Sequence, residues 1–363
     1  MTAMAVRMGR VTWHQHRWAV MAILGVFGVA TVVLLAEGAA TRSWLDSAGL
    51  TRCFHASVDC RPASQGALNQ GMGGNDGQAV FFAGDTVHLL LAVPPAAALL
   101  AGLLWLTREF ETGSFRYTWV QGISPVRWLL GVFGSLAALA AVAAAVCGAV
   151  FNWWYRFAQW PANITPARGW DWDAFGLSPI ALAGWTVFAM ALATLFAALL
   201  RRTVPAMAAF AVTYAGCLLF GLHWFRPWLL SLFPAVTRQN GLFVTGPTNQ
   251  VDYFVTTWTT GADRHVLTER QEVAASIAAY RHADPGQWLA AQHYVTWLSY
   301  QPHSRLAFFQ LALTVVLLVL SALLVLAAVR LIRRGTLAIS IGAMPSSKPC
   351  ALSGPAASAL GRL

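Results

Sequence analysis

Charged residues are scarce in this chain of 363 residues, of which only 10% are Asp, Glu, Lys or Arg. Soluble globular domains carry about 25% of these residues. Hydrophobic residues make up 57% of the chain, and the mean hydropathy is +0.56. This composition excludes an ordinary soluble protein and predicts a chain that crosses a membrane several times.

The common catalytic and metal-binding motifs are missing as well. Lys348 is the only lysine, and the residues before it, 343–347, do not form a glycine-rich phosphate loop, so we do not expect the chain to hydrolyse ATP itself. No G-x-S-x-G, H-E-x-x-H or C-x-x-C pattern occurs. We therefore predict that the chain is not an enzyme, and that it binds no metal and no cofactor of its own.

Six apolar runs reach the length of roughly 20 residues that a helix needs to cross the hydrocarbon of a bilayer. They are residues 18–36, 86–106, 129–151, 178–200, 203–222 and 306–329. The pattern predicts an all-α polytopic membrane protein of six transmembrane helices, with both termini on the same side. Alanine and glycine are dense in the third run, and because small residues let helices approach closely, we expect it inside the bundle.

Positive charge predicts the orientation, because Lys and Arg accumulate in short cytoplasmic segments. With the N-terminus inside, the inner segments hold 13 of the 24 basic residues, but Glu109 and Glu111 are their only acidic residues. We therefore place both termini in the cytoplasm and read residues 335–363 as a flexible cytoplasmic tail. Nucleic acid also attracts basic proteins, but no soluble segment shows a basic stripe with interleaved aromatic residues, so we predict no nucleic-acid partner.

Two outer segments carry further candidate features. Cys53 and Cys60 share the first outer loop, where an oxidising environment permits a disulfide, but their spacing alone leaves the pairing open. The longest outer segment, residues 223–305, shows helix starts at Thr268 and at Asp284, each followed by apolar residues at helical spacing. We predict a helical extracytoplasmic segment between spans five and six.

A charged connector, residues 107–128, joins spans two and three and is longer than a simple turn requires. Gly113 can end the helix that continues from span two, and Ser124 followed by Pro125 is a favourable N-cap and first-turn pair for the next helix. The charged and aromatic side chains of the connector include Glu109, Glu111, Arg116, Trp119 and Trp128. On the residues alone, a docking surface and a solvated turn with interfacial tryptophans are equal alternatives.

The connector resembles the cytosolic motif of bacterial type-2 ABC transporter permeases. The resemblance rests on Glu111-Thr-Gly113-Ser114, Arg116, Trp119-Val-Gln121, Ser124 and Arg127-Trp128. Two further patches agree with the family pattern and occur in its order. One lies before span five and is Arg202-Thr-Val-Pro205-Ala206-Met207. The other lies before span six and is Gln301-Pro302-His-Ser304-Arg305 with Phe309-Gln310. The last patch departs from the family pattern, since Leu306-Ala307 stands where we expect an aromatic pair.

The resemblance implies a membrane-spanning permease subunit of an ATP-driven exporter in the cytoplasmic membrane. A separate ABC ATP-binding subunit would use ATP and Mg, and the permease would act in the lipid membrane as a homodimer or a heterodimer. The residues implied in coupling to the ATPase subunit are Glu109, Glu111, Gly113, Ser114, Arg116, Trp119, Gln121, Ser124, Arg127 and Trp128.

The spans hold almost no ionisable residue away from their ends. A hydrophobic or amphipathic substrate suits such a path, and lipids, peptides and hydrophobic drugs all stay open as its identity. An alternative function stays open, namely a membrane sensor or immunity protein that does not transport and that binds a partner through residues 223–305.

Overall fold

The computed structural model describes residues 2–47, 86–112, 124–158, 170, 174–240, 253–279, 281–282 and 285–342. Within this part of the chain, six helices are long and apolar enough to cross a membrane, which confirms the six predicted spans. They are Arg17–Trp44, Thr86–Thr112, Val126–Tyr155, Pro179–Leu200, Thr203–Ser231 and His303–Arg334. Cys53 and Cys60 lie outside the described residues, so their pairing remains a prediction.

The helices of the bundle are α1 Thr2–Ser47, α2 Thr86–Thr112, α3 Pro125–Ala158, α4 Pro179–Leu200 and α5 Thr203–Phe220. A π-helical turn, Gly221–Phe225, continues α5 into α6, Arg226–Ser231. The segment that follows contains β1 Val236–Asn240, β2 Tyr253–Thr260, α7 Glu269–Ala279, α8 Pro285–Ala291 and β3 Val295–Gln301. The last helix is α9, Leu306–Gly342.

Helix α4 forms the centre of the bundle. The apolar window of α4 is 72% buried inside the chain, whereas that of α3 is 28% buried. Gly184 lets α4 approach α9 closely, because a Cβ at this position would lie 3.1 Å from the Cγ2 of Thr314. The expectation that span three lies inside the bundle is therefore wrong, and the small residues of α4 are the ones that face neighbouring helices on several sides.

Helix α2 is irregular at its centre. Pro94 and Pro95 have no backbone N–H to donate, and the helix continues as a π-helical stretch, Ala98–Leu103, before it returns to α geometry at Leu104. The backbone N–H of Ala98 donates to the carbonyl oxygens of both prolines. The paired prolines thus change the hydrogen-bond pattern of α2 without ending the helix.

The segment between α6 and α9 contains a three-stranded antiparallel sheet in the order β1-β3-β2. Helices α7 and α8 pack on one another through Ala275, Ala279 and Leu289. The Thr259 hydroxyl of β2 donates to Glu272 Oε1 of α7 at 2.6 Å, so α7 covers one face of the sheet. The prediction of a purely helical segment is therefore wrong, although its two helices are present.

The two predicted helix starts differ in outcome. Thr268 begins a helix as predicted, and its backbone N–H donates to Gln271 Oε1 at 2.9 Å, as in a capping box. The second helix ends at Ala291. Val295 and Leu298, two of the apolar residues at helical spacing after Asp284, lie in β3 instead. The backbone of His293 has φ 58°, which stops the helix, and the β-branched and aromatic residues after it favour a strand.

Helix α9 is longer than expected. The helix continues past Arg334 to Gly342, so the first residues of the predicted flexible tail, 335–342, are helical. Residues 343–363 lie outside the described part of the chain.

Candidate coupling face

One end of the bundle gathers the residues that flank the connector. Leu106 of α2, Leu129 of α3, Ala198 of α4 and Ile332 of α9 are buried in one apolar cluster. Since these helix ends pack together, the charged residues next to them lie at the same end. We call this end the coupling face, and its described charged residues are Arg108, Glu109, Glu111, Arg127, Arg201, Arg202, Arg330, Arg333 and Arg334.

Glu111 joins the end of α2 to the start of α5. The backbone N–H of Thr203 donates to Glu111 Oε1 at 2.8 Å, and the Thr203 hydroxyl lies 2.9 Å from the same oxygen. The first N–H groups of a helix have no partner within the helix, and a carboxylate is favourable beside the positive end of its dipole. Arg202, the N-cap residue of α5, provides no capping side chain, so Glu111 caps α5 from another helix.

Thr107 adds a contact one turn earlier on α2. We call the contacts of Glu111 and Thr107 with Thr203 the joint between α2 and α5. Its hydroxyl donates to the carbonyl of Leu103 at 2.9 Å and lies 3.1 Å from the Thr203 hydroxyl. Thr107 is fully buried, whereas Glu111 is exposed. The joint therefore has a buried polar base and a solvent-facing carboxylate.

The turn between α4 and α5 is two residues long. Arg201 ends α4 in a left-handed conformation, with φ 51°, and its N–H donates to the carbonyl of Ala197. Arg202 is extended and leads directly into α5. Both guanidinium groups are exposed, so the turn presents two positive charges beside Glu111.

Ser124 begins α3, as its sequence position predicts. Its hydroxyl oxygen accepts a hydrogen bond from the Arg127 N–H at 3.3 Å, and its carbonyl accepts one from the Trp128 N–H at 3.0 Å. Arg127 is exposed, and Trp128 is half-buried against Trp105 of α2, with their ring centroids 6.0 Å apart. Trp128 therefore packs within the bundle and offers only part of its surface to a partner.

The structure brings together the two ends of the predicted coupling connector. Glu109 is half-buried on α2, one turn before Thr112, and Arg127 is exposed on the first turn of α3. Gly113, Ser114, Arg116, Trp119 and Gln121 lie outside the described residues. Their roles remain predictions.

Sequence reasoning did not identify Thr107 and Thr203 as partners of Glu111. Thr203 lies in the second patch of the family resemblance, so two patches that are 92 positions apart are in contact. Thr203 stands directly after a turn that contains no proline and at the start of an apolar run. This position was the signal in the sequence that could have identified it.

The third patch of the resemblance lies at the other end of the bundle. Gln301 is buried, and its Nε2 donates to the carbonyl oxygens of Phe233 at 2.9 Å and Leu230 at 3.3 Å. Arg305 donates to Gln301 Oε1 at 3.0 Å and to the carbonyl of Pro234 at 2.9 Å. The pair fixes the end of α6 against the start of α9.

An aromatic pair lies two residues after the expected position, and its second member, Phe309, belongs to the patch itself. Phe308 and Phe309 both contact Phe233 edge to face, at centroid distances of 5.0 and 5.3 Å. Phe309 also contacts the buried Trp170 at 5.7 Å. Helix α9 therefore enters the bundle through an aromatic cluster.

Two ionisable residues lie deeper in the spans than the apolar runs indicated. Glu37 of α1 accepts hydrogen bonds from the Thr86 hydroxyl of α2 at 2.9 Å. Arg226 is buried at the end of span five, with its guanidinium carbon 5.6 Å from the ring centre of Phe175. Both groups lie towards the end opposite the coupling face, because Thr86 begins α2, which ends at that face, and Arg226 follows α5, which begins there.

An apolar cavity of about 290 Å³ lies between α4, α5 and α9. Its lining includes Trp185, Phe188, Cys217, Phe220, Leu313 and Leu317. The π-helical turn Gly221–Phe225 forms one edge, and Gly221 lies close to the Trp185 ring. Such turns occur often at functional sites, and this cavity would accept an apolar group.

The family comparison matches residues 24–226 to the family described as ABC-2 membrane transporter related. This match covers more than half of the chain. The chain belongs to this family. No curated protein and no solved structure matches the chain significantly.

The ABC-2 match begins in α1 and ends at the first residue of α6. It includes Glu111, Thr203 and the start of α3, so the coupling face is part of the family region apart from the residues on α9. The sheet, α7 and α8 lie beyond it. The protein is thus an ABC-2 type transporter permease component that spans the membrane several times, and its family implies an ABC ATP-binding partner.

Proposed function

We propose that this chain is the permease subunit of an ATP-driven exporter in the cytoplasmic membrane. A separate ATP-binding subunit docks on the coupling face and uses ATP and Mg. Closure of the ATP-binding subunits moves the connector, and the connector moves the helices. The main support for this proposal is the contact of Glu111 with Thr203. It links the end of α2 that leads into the connector to the first turn of α5.

The same contact gives the movement a route through the bundle. Helix α2 packs on α1 and α4, and α5 packs on α4 and borders the apolar cavity. A shift of Glu111 would therefore reach the start of α5 and, through its length, the cavity at its other end. Two-state rearrangements of packed helices are an established way of coupling distant sites.

A hydrophobic or amphipathic substrate suits the cavity between α4, α5 and α9, whose side chains are almost all apolar. A dimer suits the surface of α5, because only 17% of its apolar window is buried inside the chain. Val204, Val212 and Leu219 are all more than half exposed on this helix. We propose that a second permease subunit, identical or related, covers part of this surface.

Co-purification tests the docking step. The full chain is expressed with a candidate ABC ATP-binding subunit from the same genome. Recovery of this ATPase is compared for the native chain, Glu111→Ala, Arg127→Glu and the control Arg270→Glu on α7, an exposed arginine away from the coupling face. We expect the first two variants to lose association or ATPase stimulation and the control to keep both.

Transport separates the exporter from the alternative sensor or immunity protein. In inverted vesicles that contain both subunits, ATP should drive uptake of an amphipathic dye by the native chain and not by Glu111→Ala. Unchanged association, ATPase stimulation and uptake in both coupling-face variants would contradict the proposal.

A further inference from the structure

A large cavity lies on the face of the sheet that α7 and α8 do not cover. Its volume is about 1060 Å³, and its lining includes Thr237, Trp258, Thr260, Arg264, His293 and Trp297. Side chains alternate between the two faces of a strand. Since Thr259 and Thr296 lie on the α7 side, where Thr259 bonds to Glu272, the neighbouring Trp258 and Trp297 face the cavity.

Two indoles form the floor of this cavity. Trp258 of β2 and Trp297 of β3 are direct partners in the antiparallel register, so their Cβ atoms are about 5 Å apart. Trp297 Nε1 donates to the Thr260 hydroxyl at 3.2 Å, and that hydroxyl donates to the carbonyl of Val295. This chain of bonds fixes the Trp297 ring and leaves a wide, half-exposed aromatic surface.

Arg264 sits on the rim of the cavity in a backbone conformation that ordinarily selects glycine. Its φ is 62°, and it closes the hairpin turn in which its N–H donates to the carbonyl of Gly261 at 2.9 Å. Glycine is the usual residue at the left-handed position that ends a turn of this kind. An arginine there is less favourable for the backbone than glycine.

His293 lies on the same rim and repeats the pattern. Its φ is 58°, and the Tyr294 N–H donates to the carbonyl of Leu289 at 3.1 Å, which is the bond of a Schellman C-cap. Glycine is again the usual residue. Three non-glycine residues have positive φ in the described parts of the chain, and two of them line this one cavity. Unfavourable backbone conformations cluster at functional sites in proteins, and here they accompany the two exposed indoles.

The charge of the cavity selects the ligand. Among the described residues, neither the Arg264 guanidinium nor the His293 imidazole forms an ion pair or a hydrogen bond, and no carboxylate belongs to the lining. Both residues are exposed. Two basic groups that have no partner among the described residues favour an anion, and a guanidinium can bind a carboxylate or phosphate in a bidentate manner.

We propose that this face binds a saccharide that carries a carboxylate or phosphate group. The C–H face of a sugar ring packs on Trp258 and Trp297, its hydroxyls meet Thr237, and its acidic group pairs with Arg264 and His293. The site lies at the end of α6 and α9 opposite the coupling face, so the proposal does not depend on ATP-driven transport. The ligand is either a free oligosaccharide or the headgroup of a glycolipid.

Calorimetric titration of the purified full chain in nanodiscs tests this site. The probes are tetragalacturonate, the neutral tetramer cellotetraose and the acidic peptide tetraglutamate, and a second set of nanodiscs contains glucuronosyl diacylglycerol. We expect tetragalacturonate to bind at least tenfold more tightly than the other two soluble probes. If tetragalacturonate binds only in nanodiscs without the glycolipid, the glycolipid headgroup occupies the site and is the natural ligand. If tetragalacturonate binds in both kinds of nanodisc, the natural ligand is a free saccharide.

Four variants separate a binding role from a structural one. Arg264→Gly and His293→Gly place glycine where the backbone prefers it, so they should raise the melting temperature or leave it unchanged. Both variants should lower the affinity for tetragalacturonate at least tenfold. Trp258→Ala should abolish binding, and Arg270→Gln on α7, behind the sheet, should leave it unchanged.

Three results would overturn the proposal. They are no binding of tetragalacturonate in either kind of nanodisc, equal binding of tetraglutamate, and full affinity in Arg264→Gly and His293→Gly. Equal binding of the peptide would mean that the face selects charge without a sugar ring.

Discussion

The carboxylate of Glu111 accepts a hydrogen bond from the backbone N–H of Thr203 at 2.8 Å, so the last turn of α2 caps the first turn of α5. This contact joins two short segments that the sequence separates by 92 positions. It also gives Glu111 a structural partner inside its own chain. A coupling role for Glu111 must therefore act through α5 as well as through any docked subunit.

A double-mutant cycle separates these two actions. Glu111→Ala and Thr203→Val each weaken the joint, and losing this cap should cost roughly 1 kcal/mol of stability. If Glu111 acts through α5, the double variant should lower ATPase stimulation no further than Glu111→Ala alone. The measurement is ATP hydrolysis by the reconstituted complex at saturating ATP.

The matched control is Thr194→Val on α4. The Thr194 hydroxyl donates only to the carbonyl of Met190 in its own helix, at 2.8 Å, so its loss should leave stimulation unchanged. Additive losses from Glu111→Ala and Thr203→Val would show that the two residues act independently.

Filling the apolar cavity should block transport without weakening the fold. Gly216 lines the cavity, and a Cβ built on it meets no atom within 4 Å, so Gly216→Leu inserts a side chain where space exists. Leucine also favours the helix by about 1 kcal/mol over glycine. We expect a raised melting temperature together with slower ATP-dependent dye uptake in vesicles.

Gly131→Leu on α3 is the control for this change. Gly131 is exposed and also has no atom within 4 Å of a built Cβ, but it lies away from the cavity. It should gain the same helix stability and keep full uptake. Equal uptake by Gly216→Leu and the native chain would exclude the cavity from the substrate path.

The buried amide of Gln301 should be essential for the end of the bundle that carries the sheet. Gln301→Leu leaves the carbonyls of Leu230 and Phe233 and the guanidinium of Arg305 without this partner. Buried polar groups left unsatisfied cost about 1–3 kcal/mol each, so we expect a loss of at least 2 kcal/mol in thermal unfolding. The exposed Gln292→Leu should change stability by less than about 0.5 kcal/mol.

The close approach of α3 and α4 should not tolerate a methyl group. A Cβ at Gly148 would lie 2.7 Å from Pro179 Cα and 3.1 Å from the carbonyl oxygen of Leu177, and both are backbone atoms that cannot rotate away. Gly148→Ala should cost roughly 1–3 kcal/mol. Gly134→Ala on the same helix meets open space and should be neutral or stabilising, as thermal unfolding in detergent would show.

The six spans could be predicted from the sequence, because hydrocarbon thickness sets the length of an apolar run and each run is uninterrupted. Ser124 as the start of α3 and Thr268 as the start of α7 followed from local capping patterns, and both are confirmed. The joint of Glu111 with Thr203 could not be predicted in the same way. It depends on how α2 and α5 pack, and no local pattern encodes that contact.

The sheet escaped prediction for a related reason. Trp288, Ala291, Val295 and Leu298 are spaced as on a single helix, yet the chain turns at His293, a position where glycine would have given a stop signal. Strand β3 also pairs with β1 and β2, which lie far from it along the chain. The sequence also did not indicate that α4 rather than α3 is buried. Both helices are rich in alanine, and only the packing of neighbouring helices decides which one is enclosed.

Site-specific photocrosslinking in cells tests the central claim most directly. Benzoylphenylalanine replaces Arg127 on the coupling face or, as the control, His265 beside the sheet, and crosslinked proteins are identified by mass spectrometry. The account predicts that position 127 captures an ABC ATP-binding subunit and that position 265 does not. Capture of that subunit from position 265, or its absence at position 127 when the complex is active, would contradict the account.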